Sequence, residues 1–371
     1  MWIKRFARRL AEPFDPWLLL FVVLLVGVSL LTIYSASNES TDKIVSKLVS
    51  VTVAFSAMWL VANLKPTQLM WLAPPIYLVG IVLLVGVALF GDITNGARRW
   101  LDLGVARIQP SELMKLAVPM LLAWYFQRHE SNLHVRHFLV AAVMIALPLA
   151  LVFKQPDLGT ATLIAAAGFY VLFFAGLSWR VILPLVLAGC VAVWFVVDVD
   201  RCMIVFHKYQ CERVQTQLDP MSDPLGKGYH IIQGTIAIGS GGVLGKGWLS
   251  GTQTHLDFIP ERTTDFIFAV FGEEFGLVGN IVLLLLYLCV IGRGLIIAHN
   301  ASSLFGRLLA GALTLSFFTY AFVNMGMVSG ILPVVGVPLP LVSYGGTAML
   351  SILIGFGMLM SIQRDRKLMK R

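Results

Sequence analysis

Apolar residues in this chain come in long unbroken runs rather than in a short alternating rhythm. The runs cover roughly 16–36, 44–63, 70–90, 111–127, 137–153, 157–176, 179–199, 265–297, 304–327 and 341–362. A helix needs about 20 consecutive apolar residues to cross a bilayer core, and these runs are near that length or above it. The pattern predicts an all-α integral membrane protein: one polytopic domain, residues 1–371, with ten transmembrane helices. The longest non-membrane piece, about 200–263, falls between the seventh and eighth runs. Its apolar residues, Ile231, Ile232, Ile236, Ile238 and Trp248, predict a large, partly helical loop lying on the membrane face. No strong internal repeat, low-complexity tract or flexible linker divides the chain.

Composition agrees with the runs. The chain is 58% hydrophobic and 13% charged, whereas soluble domains are about 45–50% apolar and about a quarter charged. A secreted disulfide scaffold, a disordered tail and a nucleic-acid binder are excluded. The net charge of +8 would suggest a nucleic-acid partner in a soluble protein; here its distribution matters more. An even number of spans puts both termini on one side, and that side gathers 15 basic against 4 acidic residues, leaving 13 basic and 16 acidic opposite. The positive-inside rule then makes both termini cytoplasmic and the 200–263 loop extracytoplasmic. Met1–Leu10 has the basic character of a signal peptide's start, but the apolar run Trp17–Tyr34 exceeds the 7–15 residues of a signal core. It is read as the first membrane helix.

The outer side carries the chemistry. Arg98, Arg99, Trp100, Asp102 and Arg107 share its short third loop, and Lys154 stands at another outer boundary. Cations outside run against the topology bias. Grouped at headgroup level they suit a phosphate or pyrophosphate ligand, with headgroup snorkelling as the competing reading. Two helix starts echo each other, Gln109-Pro110-Ser111-Glu112 and Gln155-Pro156-Asp157. Proline and acids suit a first turn, which leaves both glutamines unexplained. Glu112 and Lys115, three residues apart, are read as a structural ion pair. Thr264 is the predicted N-cap of a helix with Asp265 in its first turn, a position that suits a general base or a plain capping acid. The run 265–297 is too long for one straight span, so a break is expected near Gly276 and Gly279. Glu273 and Glu274 just before it either line a cavity or pair with a cation.

Other motifs are weaker. The Gly-rich stretch Gly226–Gly251 matches neither a P-loop nor a dinucleotide fingerprint. The histidines show no metal-ligand spacing, and no metal site is legible. Cys190 and Cys289 read as core residues. Cys202 and Cys211 lie in the outer loop, where a disulfide and two free thiols are equally open. Asn324, with Gly326 and Gly330 flanking it, is the best midplane-leaning polar feature, and helix packing accounts for it as easily.

Several of these segments taken together carry a resemblance. Gly96-Ala97-Arg98-Arg99-Trp100, Gln109 to Lys115, Gln155 to Thr160, Thr264 to Phe268, Gly272 to Gly276 and Pro338 to Gly346 resemble the SEDS family (shape, elongation, division and sporulation). The match runs nearly end to end. Trp248 to Gln253 and the short N-terminus are more similar to its elongation branch than to its division branch. Thr263 departs from the histidine that many relatives carry, which argues against a proton-transfer role there. The Cys202–Cys211 region is also unusual for the family.

The resemblance implies the SEDS fold and a peptidoglycan glycosyltransferase of the cytoplasmic (inner) membrane. Such an enzyme polymerises lipid II on the outer face, for cell elongation. It implies Asp265 as the catalytic base, with Arg98, Arg99, Trp100, Gln109, Lys154, Gln155, Asp157, Glu261, Arg262 and Ser343 as substrate-binding residues. No cofactor is demanded, although a divalent cation such as Mg2+ or Mn2+ is compatible. The implied partners are a class B penicillin-binding protein supplying the transpeptidase and other membrane proteins of the elongation complex. The chain itself has no SxxK acyl-transfer motif set. The alternatives are a division polymerase and a lipid II flippase, the latter weakened by polar groups gathered at one face rather than at the midplane.

Overall fold

The structure is a computed structural model that describes all residues except 1–11, 95–96, 103–106, 156, 199–200, 204–210, 212–214, 217, 225, 227, 257 and 370–371. The basic N-terminal tail, Pro156 and part of the start of the long loop therefore lie outside the described residues. The helices are α1 (Pro16–Ala36), α2 (Thr41–Asn63), α3 (Pro66–Phe90), α4 (Pro110–Arg128), α5 (Val135–Lys154), α6 (Leu158–Phe174) and α7 (Trp179–Val197). After the long loop's α8 (Tyr229–Ser240) and short α9 (Thr252–His255) come α10 (Ile267–His299), α11 (Leu304–Val328) and α12 (Gly346–Met369). Seven of them, α1, α2, α3, α5, α10, α11 and α12, are long and apolar enough to cross a membrane.

Burial follows the solvent each face meets. α11 is the central helix, packed against α4, α6, α10 and α12, and Leu308, Leu309, Ala310 and Ala312 on it have no exposed surface. The outer helices expose leucine and valine instead, such as Val23, Val53, Leu78, Val143 and Leu285. In water such a surface would drive aggregation; against lipid tails it is the ground state. α7 is the extreme case, since Ile182 is its only buried side chain among the described residues.

Four expectations need correcting. The chain is not purely α-helical, because the loop between α3 and α4 folds into a small antiparallel sheet of β1 (Asp92–Thr94), β2 (Ala97–Asp102) and β3 (Arg107–Ile108), in the order β1-β2-β3. Strands this short leave too little alternation to read. The last helix starts at Gly346 rather than near 341, because the preceding stretch is held in turns by side chains from other helices. And Thr264 is no N-cap: its hydroxyl donates to Glu261, the residues before α10 form successive turns, and Phe266 precedes the helix without a side-chain cap. Asp265 thus sits outside the first turn. The cysteines in the apolar runs, Cys190 and Cys289, are exposed rather than in the core. Cys202 and Cys211 are joined by a disulfide, with Cα atoms 5.8 Å apart.

The break inside α10 falls at Gly276, where φ is 62° and ψ is −161°. An added Cβ there would come within 2.3 Å of the Gly245 nitrogen, so this crossing of two backbones requires glycine. Backbone groups freed by the break are taken up by the outer loop. Lys246 and Gly247 donate to the carbonyls of Glu273 and Glu274, and Leu277 and Val278 donate to Gly242 and Val243. The loop is thereby fastened to α10 through main-chain bonds, as membrane-depth backbone demands.

Candidate functional site

A cavity of about 370 Å3 opens among the sheet, the starts of α4 and α6, the turn before α10 and the stretch between α11 and α12. Proline begins α4 at its first position and Asp157 caps α6 by accepting from Thr160 N at 3.2 Å, so both helix starts aim their first residues at one space. Of the residues expected to bind substrate or catalyse, the cavity brings together Arg99, Trp100, Gln109, Asp157 and Asp265, along with the pair Glu112 and Lys115.

Two polar networks organise its walls. Asp157 accepts from Thr160 Oγ1 at 2.9 Å and from Gln109 Nε2 at 3.4 Å, and its Oδ2 lies 3.8 Å from Arg99 Nε. The two glutamines that helix capping left unexplained thus part ways. Gln109 ties the two helix starts together, while Gln155 is buried and points back to the Leu84 carbonyl at 3.4 Å. In the second network Lys115 Nζ is 2.5 Å from Glu112 Oε1 and also donates to the Tyr320 hydroxyl. Glu112 Oε2 accepts from Ser351 Oγ at 2.8 Å. The pair is more than structural in its placement, because both charges face the cavity.

Asp265 has different company. Among the described residues no donor reaches its carboxylate oxygens. Burial, reinforced by the nearby Glu261 charge and opposed by Arg99, pushes its carboxyl up to about 6. The peptide beside it belongs to Gly336, whose φ of 71° suits glycine and whose added Cβ would stand 3.4 Å from Asp265 Oδ2.

The remaining expected residues lie elsewhere. Arg98 and Lys154 are exposed and outside the cavity. Glu261 is exposed and accepts from Thr264 Oγ1 at 2.8 Å. Arg262 donates to the Thr254 carbonyl. Ser343 is buried behind the wall, donating to Thr264 O at 2.6 Å and accepting from Leu339 N at 2.7 Å. Its contribution is to hold the Asp265 turn. Neither buried glutamate lines the cavity: Glu273 pairs with Lys246 at 2.7 Å, and Glu274 accepts from Ser35 Oγ. The sequence reading missed Thr160, Tyr320, Gly336 and Thr347 in the lining. Tyr320, in an apolar run that helix packing explains, carried no signal; Gly336, beside Pro338, carried a faint one. Among the described residues no group of three or more His, Cys, Asp or Glu side chains is placed to hold a metal ion.

Comparison with known proteins decides the family. The FtsW/RodA/SpoVE family of cell cycle proteins matches residues 15–368. The chain belongs to this family. It is the SEDS grouping that the motifs resemble. Within it, the chain is 50% identical over 360 residues to peptidoglycan glycosyltransferase MrdB of Escherichia coli K12, covering 96% of this chain and 95% of that one. It is 31% identical to peptidoglycan glycosyltransferase RodA of Treponema pallidum, covering 95% and 98%. Among solved structures, a chain described under structural coordination of polymerization and crosslinking by a peptidoglycan synthase complex superposes with a TM-score of 0.81 at 32% identity, covering 95% of this chain and 98% of that one. The rod shape determining protein RodA of Thermus thermophilus gives 0.72 at 28%, covering 95% and 97%. This FtsW/RodA/SpoVE chain is therefore a multi-pass membrane protein.

Proposed function

We propose that the chain is a peptidoglycan glycosyltransferase of the elongation type that polymerises lipid II in the cytoplasmic membrane, with Asp265 as its catalytic base. The carrying observation is a carboxyl raised to about 6, with no donor on it among the described residues, in a polar cavity that also holds Arg99 and Lys115. An acid in that state can take a proton near neutral pH. The acceptor 4-hydroxyl of a GlcNAc loses its proton to Asp265 as its oxygen attacks the anomeric carbon of the donor MurNAc. The bond from that carbon to the polyprenyl pyrophosphate breaks, the configuration inverts, and the pyrophosphate leaves with the bonding electrons. Arg99 and Lys115 stabilise that growing negative charge, and Trp100 supplies a flat apolar face for a sugar ring. Lys115 thereby enters as a working cation as well as a partner of Glu112.

The topology follows from the same reading. Adding α4, α6 and α7, which are shorter or carry charge, to the seven long apolar helices makes ten spans. Both termini are then cytoplasmic and the cavity opens outward. A class B penicillin-binding protein supplies cross-linking, in line with the synthase complex from which the structural relative comes, and other elongation-complex membrane proteins assemble with it.

Purified lipid II in detergent tests the proposal. The wild type should make glycan polymer and Asp265→Ala should make none while eluting as the same folded species. Polymerisation at the wild-type rate by Asp265→Ala overturns the assignment of the base, and absence of polymer from the wild type with and without the partner overturns the enzyme reading.

A further inference from the structure

Asn324 lies on α11 with no exposed surface. Its Nδ2 donates twice, to the Asp265 carbonyl at 2.8 Å and to the Val337 carbonyl at 2.7 Å. Both acceptors belong to residues that line the cavity, yet they come from separate stretches of chain, the turn before α10 and the connection between α11 and α12. One amide therefore bridges two walls of the site. Among the described residues its Oδ1 has no hydrogen-bond partner, an omission that destabilises a buried group. Turning the amide over would not relieve it, because Oδ1 would then face two carbonyl oxygens. The orientation is fixed by its acceptors.

Packing alone does not account for this. A leucine fills similar volume without an orphaned acceptor, but it would leave the Asp265 and Val337 carbonyls without this donor. What the amide supplies is register. Val337 follows Gly336, whose peptide stands beside the Asp265 carboxylate, close enough that an added Cβ would lie 3.4 Å from Oδ2. Two other bonds join the same stretches, Tyr344 N to Thr263 O at 2.8 Å and Ser343 Oγ to Thr264 O at 2.6 Å. Those hold the residues before Asp265. Among the described residues, Asn324 is the side chain that grips residue 265 itself.

We infer that Asn324 is a positioning residue for Asp265, locking the turn that carries the base against the Gly336–Val337 peptide so that the carboxylate faces the cavity. The inference rests on Asp265 being the base. Charged groups near Asp265 are Glu261 in its own turn and Arg99 on β2, with Glu112 and Lys115 of α4 and Asp157 before α6 on the cavity's other walls. None is touched by a change at Asn324.

The test compares wild type, Asn324→Leu, Asn324→Gln and Asp265→Asn in polymerisation of purified lipid II, across pH, with thermal unfolding in detergent. Asn324→Leu takes the donor from two carbonyls and should unfold somewhat earlier than wild type, and its folded fraction should lose roughly 10–100-fold in kcat, as expected for small misplacement of a reacting group, with KM within about threefold of wild type. The pH at which its rate rises should fall below the wild-type value, because a carboxylate no longer covered by the Gly336 peptide is better hydrated. Asn324→Gln keeps the amide and should recover part of the rate. Wild-type kcat in Asn324→Leu, or a lowered kcat with the pH of the rise unmoved, overturns the inference. If Asn324→Leu fails to fold, Asn324→Ala takes its place and is judged by the same kcat and the same pH of the rise. Full activity in Asp265→Asn would instead defeat the base assignment on which the inference rests, whereas an inactive Asp265→Asn beside an unaffected Asn324→Leu defeats the inference alone.

Discussion

Glu273 is fully buried and collects donors from the outer loop: Lys246 at 2.7 Å, Gln253 N at 2.9 Å, Thr254 Oγ1 at 3.0 Å and Thr254 N at 3.2 Å. Asp265, two turns earlier along the same stretch, has none of this and instead faces a cavity with a cation at its far side. The same chemical group is spent in one place and available in the other. A carboxylate whose lone pairs are all occupied by donors fixes structure, here by pinning the 246–254 segment to α10. A carboxylate stripped of water and given no donors holds its proton close to neutral pH and can exchange it with a ligand. Burial is common to both, so burial alone does not mark a catalytic acid; the donor inventory does.

The largest expected effects separate the two acids. Asp265→Asn should lower polymerisation by about 10^2–10^4-fold, the usual range for removing a general base, without lowering the unfolding temperature. Glu273→Ala should do the reverse. It strands Lys246 and four loop donors, Thr252 Oγ1 included, and should cost about 3 kcal/mol of stability, seen as a lower unfolding temperature in detergent, with activity per folded molecule mostly kept. A Glu273→Ala protein that unfolds like wild type and is inactive would break the comparison.

The pH dependence should separate them next. The folded state holds the Asp265 proton up to about 6, against an ordinary value of 3.8. A carboxyl raised on folding favours the folded state at low pH, and that contribution is lost as pH rises from about 4 through about 6. Wild type should therefore lose stability relative to Asp265→Asn across that interval, by no more than about 3 kcal/mol, with a constant difference above it. The catalytic rate should rise over the same interval as the base ionises. A stability difference that stays flat with pH would show that Asp265 is not raised.

Much of this was legible in the run pattern and some of it was not, for physical reasons. Spans are set by the thickness of the bilayer, so long apolar runs locate α1 to α7 and α10 to α12 to within a few residues. Gly276 was readable because an α10 of 33 residues exceeds one span. Arg99 was readable from its place among clustered cations, although Arg98 and Lys154, grouped with it, lie outside the cavity. What stayed hidden depends on contacts distant in sequence. Asn324 and Asp265 are joined across 59 positions, Ser343 and Thr264 across 79, and no local rule links them. Thr264 misled because its hydroxyl has two acceptors in reach, and the turn at Glu261 wins over the helix.

Arg99 gives a smaller effect. Its side chain is 34% exposed beside Asp157, so solvent screens its charge. Arg99→Ala should slow polymerisation about tenfold, equal to about 1.4 kcal/mol of barrier. Because Arg99 opposes the upward push on Asp265, its removal should also move the rise in rate to higher pH. A slower rate with the rise unmoved would confine Arg99 to the substrate and away from the base.

The smallest effect belongs to Lys154, grouped with Arg99 by sequence and separated from it by the fold. It is exposed in the last turn of α5 and outside the cavity, where an ammonium meets water and lipid headgroups. Lys154→Ala should change the rate by no more than about twofold, the range of an ordinary surface substitution, at any pH. Because the residue lies close in sequence to Asp157, a change of tenfold would mean that the cation reaches the pyrophosphate only once substrate is bound. The cavity described here would then be the open form of a site that closes from the α5 side, and Arg99→Ala with Lys154→Ala would lose more than the product of the two single effects.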